Sequence, residues 1–152
     1  MPVLLDQAKF RMKWAIWVLI AVVLFALWVR LAPSSPEKWH VDPAALDPPG
    51  SRGYLAQTSY ENDAKVVLQR LNVIALATPR TRLLAGGAEE GRMTYITRTL
   101  IWGFPDYTTV TAENLREGSR LTLYGRLRFG IGDFGVNRAR IKSWLQRMDA
   151  VN

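Results

Sequence analysis

The sequence predicts an α+β domain carried behind a single membrane-spanning helix, and three observations predict it. An uncharged run of 16 residues, Trp14 to Val29, stands near the start. Beyond it, apolar residues recur first at a helical period, then at a strand period, then at a helical period again. The connections between these segments are short and marked by glycine and proline, as between antiparallel neighbours. With 152 residues, the chain has room for one domain and an appendage, not for two full domains.

The uncharged run spans roughly 24 Å at ~1.5 Å per residue, a little less than a ~30 Å hydrocarbon core. Leu31 and Ala32 extend it, and Lys13 and Arg30 can carry their charges out to the headgroups. Trp14, Trp17 and Trp28 lie near the two ends, where amphipathic rings favour the interface, and Pro33 stops the helix. A span over residues 14–32 follows. Lys9, Arg11 and Lys13 precede it and only Arg30 follows closely. That asymmetry keeps the N-terminus cytoplasmic and, in a bacterial inner membrane, places the domain in the periplasm. A cleaved signal peptide is the rival reading. Val29, Arg30 and Leu31 stand where its small residues would be, so an uncleaved anchor over residues 1–33, with the N-terminus retained, is expected.

Residues 34–58 hold Pro36, Pro43, Pro48, Pro49 and Gly50 without sustained periodicity and read as an extended tether that can drape over the domain. The domain proper is expected over residues 59–152. Its first helix, 62–77, is drawn by Ala64, Val67, Leu68, Leu71, Ile74 and Ala75 on one face, and Pro79 ends it. Four strands follow, at about 80–85, 92–101, 106–112 and 119–128, divided by the Gly86-Gly87-Gly91, Gly103–Asp106 and Glu117-Gly118 turns. In the last, Leu121, Leu123 and Leu127 alternate with Arg120, Thr122, Tyr124, Arg126 and Arg128. A closing helix to Met148 carries Ile141, Trp144, Leu145 and Met148 as its stripe. The predicted fold is therefore a helix, a four-stranded antiparallel meander and a helix. Both helices are expected on the leucine face, with the other face open to water or a partner.

Composition narrows the function classes. The net charge is +7, of which the first 33 residues carry +3 and the rest +4. Such a balance suits lipid headgroups or acidic proteins, and the extracytoplasmic location argues against nucleic acid. The absence of cysteine excludes disulfides, thiolate catalysis and thiolate-ligated metal. His40 is the single histidine and lies in the tether, so neither a metal site nor a Ser-His-Asp arrangement is expected. Gly130-Ile131-Gly132-Asp133-Phe134-Gly135 fits GxGxxG between a strand and a helix. Only 17 residues follow it, with no acidic residue ~20 positions on, and Asp133 would face the phosphates. The glycines read instead as a tight turn, with Asp133 or Asn137 capping the last helix, and no cofactor is expected.

Three stretches are more specific in combination: Thr94-Tyr95-Ile96-Thr97-Arg98-Thr99, Gly103-Phe104-Pro105-Asp106, and the run from Gly130 through Asp133-Phe134-Gly135-Val136-Asn137-Arg138 to Arg140-Ile141. Together they resemble domain-of-unknown-function family 1499, over roughly residues 36–148. The resemblance implies a shared fold, no agreed activity, and company among membrane-associated bacterial or plastid proteins. Where such proteins usually show a run rich in serine and arginine, this chain has Tyr124-Gly125-Arg126-Leu127-Arg128. Any chemistry carried by those serines elsewhere is missing here.

The candidate residues fall into two sets. Arg98, Arg120, Arg126 and Arg128 are candidates for binding an anion or a partner, the last three lining one strip of their strand. Phe104, Pro105, Asp106, Asp133, Gly135 and Asn137 are candidates for turns and caps, while Glu89 and Glu90 read as solvated charge. No nucleophile–base pair stands out, and no catalytic residue is assigned. The sequence thus favours a non-enzymatic accessory or assembly protein, docking on a membrane protein complex or on anionic headgroups. A membrane-anchored hydrolase using the GFPD and DFGVN turns is the alternative.

Overall fold

The structure, a computed structural model, describes residues 2–150. Residue 1 of the predicted anchor segment and residues 151–152 of the predicted domain lie outside them. The chain divides into two compact units, Met1–Pro33 and Ser34–Asn152.

The first unit is one helix, α1 (Pro2–Leu31). Its stretch Phe10–Leu31 has 22 residues and a mean hydropathy of 2.3, long and apolar enough to cross a membrane. It begins earlier than the predicted span because helical geometry continues through Arg11 and Lys13, whose charges do not interrupt a backbone. The apolar residues surround the helix on all sides, as in a membrane anchor or a signal sequence and unlike the one-sided stripe of a surface helix.

The second unit opens with a short helix, α2 (Pro36–Trp39), and two 3₁₀ turns, Pro43–Ala45 and Gly50–Arg52. Then come β1 (Gly53–Tyr60), α3 (Ala64–Leu76), β2 (Thr81–Gly87), β3 (Arg92–Arg98), β4 (Pro105–Asn114), β5 (Ser119–Leu127) and α4 (Val136–Asp149). The sheet is antiparallel throughout, in the order β1-β5-β4-β3-β2. It has five strands where the sequence predicts four. The additional one, β1, lies mostly within the segment read as tether. Its inward residues Tyr54, Ala56, Thr58 and Tyr60 alternate with Leu55, Gln57 and Ser59, too weak a contrast to stand out beside the prolines just before it.

Both helices pack on the leucine face, as predicted. Val67, Leu68 and Leu71 of α3 and Ile141, Trp144 and Met148 of α4 bury against Tyr95, Val110, Leu121 and Leu123 of the sheet. Trp144 meets Tyr95 edge to face at 5.6 Å, and its indole N–H donates to Thr78 Oγ1 at 2.8 Å. The Asp63 carboxylate caps α3 by accepting from the Lys65 N–H at 2.9 Å.

The opposite face is not left open, contrary to the sequence expectation. Residues 34–52 lie across its centre as a strap, in which Trp39 stacks on Tyr107 with centroids 3.7 Å apart and planes 7° from parallel. Ile96 and Leu84 complete this second, smaller apolar cluster. Thr109 Oγ1 donates to the Trp39 carbonyl at 3.2 Å, and Tyr124 Oη to that of Asp47 at 2.8 Å.

Candidate functional site

The strand register brings the sequence-selected motifs to one end of the sheet. β5 ends at Leu127 opposite Asp106 at the start of β4, and Arg98 at the end of β3 faces Pro105. The GFPD turn and the glycine-rich loop into α4 are therefore neighbours in space. Phe104 lies between Trp102 and Phe129, at 6.4 and 5.8 Å between ring centroids. The Arg98 guanidinium donates to the Gly103 carbonyl at 2.8 Å and holds the first turn closed.

Beneath these rings runs a chain of polar groups. Arg140, one turn into α4, donates to Asp106 Oδ2 at 2.9 Å, both side chains being less than a tenth exposed. Its other terminal nitrogen donates to Asn137 Oδ1 at 2.7 Å. The Asn137 side-chain amide donates to the Asp133 carboxylate, which also accepts from the Asn137 backbone N–H at 3.0 Å. Asp133 thus caps α4 across Gly135, whose φ of +82° is left-handed and favours glycine. Gly125 of β5 lets α4 approach: a Cβ there would lie 3.0 Å from Asn137 and from Ile141. Burial pushes the Asp106 carboxyl above its ordinary range, the Arg140 hydrogen bond and charge pull it back, and the charge of Asp133 adds to the rise. Each carboxylate is committed to a structural partner, and neither is paired with a nucleophile.

The predicted arginine strip separates into three environments. Arg126 lies under the strap, where it donates to the Trp39 carbonyl and sits over the Trp39 ring at 5.1 Å and the Tyr124 ring at 5.5 Å. Burial holds its guanidinium below its ordinary pKa, opposed by Tyr124 and Tyr107. Arg128 donates to Tyr107 Oη at 3.3 Å, the same oxygen that shares a 2.6 Å hydrogen bond with Ser34. Arg120 is at the far end of β5, paired with Glu113 at 3.0 Å on the rim of a polar groove of about 560 Å³ beneath residues 42–46. Among the described residues no group of three or more His, Asp or Glu side chains is arranged to hold a metal ion.

The outer surface of the motif end is apolar. Leu100 and Ile101 of one loop are about three-quarters exposed, and Ile131 and Phe134 of the other are 90% and 91% exposed. Phe134 has a φ of +49°, unusual for a residue with a Cβ. Asp133 N–H, bonded to the Ser51 carbonyl at 2.8 Å, and Val136 N–H, bonded to that of Asp133 at 3.0 Å, fix the loop around it. A mostly apolar pocket of about 200 Å³ between the two loops is lined by Thr99, Phe104, Leu127, Phe129 and Phe134.

Residues 29–148 match the family model described as "Protein of unknown function (DUF1499)". The chain belongs to this family. No curated protein and no solved structure matches it. In this DUF1499 chain the two spaced motifs are one joint, with Asp106 of the first bolted to Arg140 of the second. Of the residues singled out in the sequence, Phe104, Pro105, Asp106, Asp133, Gly135 and Asn137 gather here with Arg98 and Arg128, whereas Arg120 and Arg126 do not. Arg140, Trp39 and Tyr107 were missed. Arg140 carried a signal, being the arginine at i+3 from Asn137 on one helix face. Trp39 carried none beyond its isolation among prolines.

Proposed function

We propose that this protein is a non-enzymatic, membrane-anchored accessory protein, held by α1 in a bacterial inner membrane with its N-terminus cytoplasmic and its domain periplasmic. The domain docks through the end that bears the GFPD and DFGVN turns. The observation that carries this reading is the set of large apolar side chains at that end, Leu100, Ile101, Ile131 and Phe134, held outward on loops that are pinned from behind. Large apolar side chains exposed together at one end of a domain mark a contact site. The hydrolase reading would need Asp106 or Asp133 to move protons, and both are occupied by Arg140 and Asn137.

Because the chain has no cysteine, single cysteines report cleanly. In native membranes, Ile131→Cys should react slowly with a water-soluble maleimide and quickly once detergent releases the chain, whereas Glu117→Cys, in the β4–β5 turn, should react quickly in both. Equal, fast labelling of both sites in native membranes would rule out docking through this end.

A further inference from the structure

We infer that the occupant of the apolar end is the anionic bilayer interface itself: the two loops enter the boundary between headgroups and acyl chains, and the arginines around them bind lipid phosphates. This rests on the docking reading above and names the surface it meets.

Four observations converge. The first is position. The register places the 98–106 loop, the 127–136 loop, the start of β1 and the start of β2 at one end of the sheet. The domain's first residue, Ser34, is bonded to Tyr107 at this same end. The second is shape. The exposed residues are single protrusions on two loop tips, not a broad complementary face, and Phe134 is kept outward by a left-handed backbone. Strain retained at an exposed aromatic residue points to use.

The third is charge at the near end. Arg52, Arg80 and Arg138 are exposed there, with Arg98 and Arg128 beside the loops, and Arg128 lies over the Phe129 ring at 5.1 Å. The acidic residues of the two loops, Asp106 and Asp133, are buried and engaged. The fourth is charge at the opposite end, where the acidic side chains of the other turns, such as Glu61, Glu90, Glu117 and Asp149, stand among basic ones, Lys65 being paired with Glu89 and Arg120 with Glu113. An anionic surface attracts the first end more strongly than the second, which orients the domain before any apolar contact forms. Basic residues around apolar and aromatic tips are the composition of a segment that lies in the interface.

The test uses the full chain, reconstituted through α1 into protein-free vesicles of phosphatidylcholine with or without phosphatidylglycerol. An environment-sensitive fluorophore on Ile131→Cys should be blue-shifted and quenched by acyl-chain nitroxides when phosphatidylglycerol is present. Quenching should fall as salt rises or when Arg52, Arg80 and Arg138 are all changed to Gln. The same fluorophore on Glu117→Cys should stay unquenched. If the Ile131 probe stays in water in these vesicles but is shielded in native membranes, the end docks on a protein and the lipid inference falls while the docking reading stands. If it is exposed in both, both fall. Quenching indifferent to phosphatidylglycerol, salt and the arginines would overturn the role given to phosphate.

Discussion

Arg140 ties two stretches of chain more than thirty positions apart, and the consequences of losing it differ from those of losing an exposed ion pair. Its partner Asp106 is equally buried, so removing either one strands the other without water. Arg140→Met or Asp106→Asn should each cost ~3–5 kcal/mol in denaturant unfolding of the detergent-solubilised chain, with the double variant costing much less than their sum. By contrast, Arg120→Gln removes an exposed pair with Glu113 and should change stability by less than about 1 kcal/mol. His40 acts in another way. Its Nδ1 lies 3.0 Å from Thr94 Oγ1, and burial, then the charge of Arg92, holds its pKa below the ordinary 6.5, with Glu90 opposing. The folded state therefore prefers neutral imidazole. The stability this confers is full above pH 6.5 and is lost as pH falls from 6.5 through the lower folded-state pKa, because the unfolded chain takes up the proton first. Melting temperatures measured from pH 7.5 to 5 should drop more steeply for the wild type than for His40→Gln.

At the level of elements, the strap changes what the sheet presents. Alternation alone puts Arg126 on a solvated face, but the indole of Trp39 covers it and the Trp39 carbonyl takes its proton donor. Trp39→Ala should cost ~3–5 kcal/mol and open residues 40–52 to proteolysis at lower denaturant than the rest of the domain. Unchanged cleavage would mean that the strap is held by its backbone contacts alone. The contrast shows which parts of the molecule were legible. Both helices and four strands could be read because local periodicity and turn chemistry carry them, whereas α4 starts at Val136 behind Gly135, so that Asn137 is already inside the helix. β1 could not, and the strap was legible only as a tether able to drape over the domain, without its partners. Their conformation is fixed by partners distant in sequence, Tyr107, Thr109 and Tyr124 for the strap and β5 for β1, and the prolines of the strap mimic those of a free linker. The Arg140–Asp106 pair was hidden for the same reason: only the fold brings an i+3 neighbour of Asn137 to the GFPD turn.

For the whole molecule, the basic, apolar end and the opposite end of mixed charge define an axis along the strands, and the membrane reading gives that axis a direction. The N-terminal basic cluster Lys9, Arg11 and Lys13 argues for export of everything after α1. A reporter that functions only in the periplasm, fused after the last residue, should be active, and one that functions only in the cytoplasm should be silent. The reverse pattern would invert the assignment. The strand order also constrains synthesis. β1 is the first strand to be made, yet its neighbour in the sheet, β5, is the last. Synthesis from Tyr60 to Leu127 takes roughly 3–13 s at ~5–20 residues per second. During that interval β1 has no strand to pair with, and the sheet cannot close from the N-terminus onward. The domain is thus committed to folding after its C-terminal third has emerged, and a nascent chain stalled before β5 is a chain with nothing to zip against.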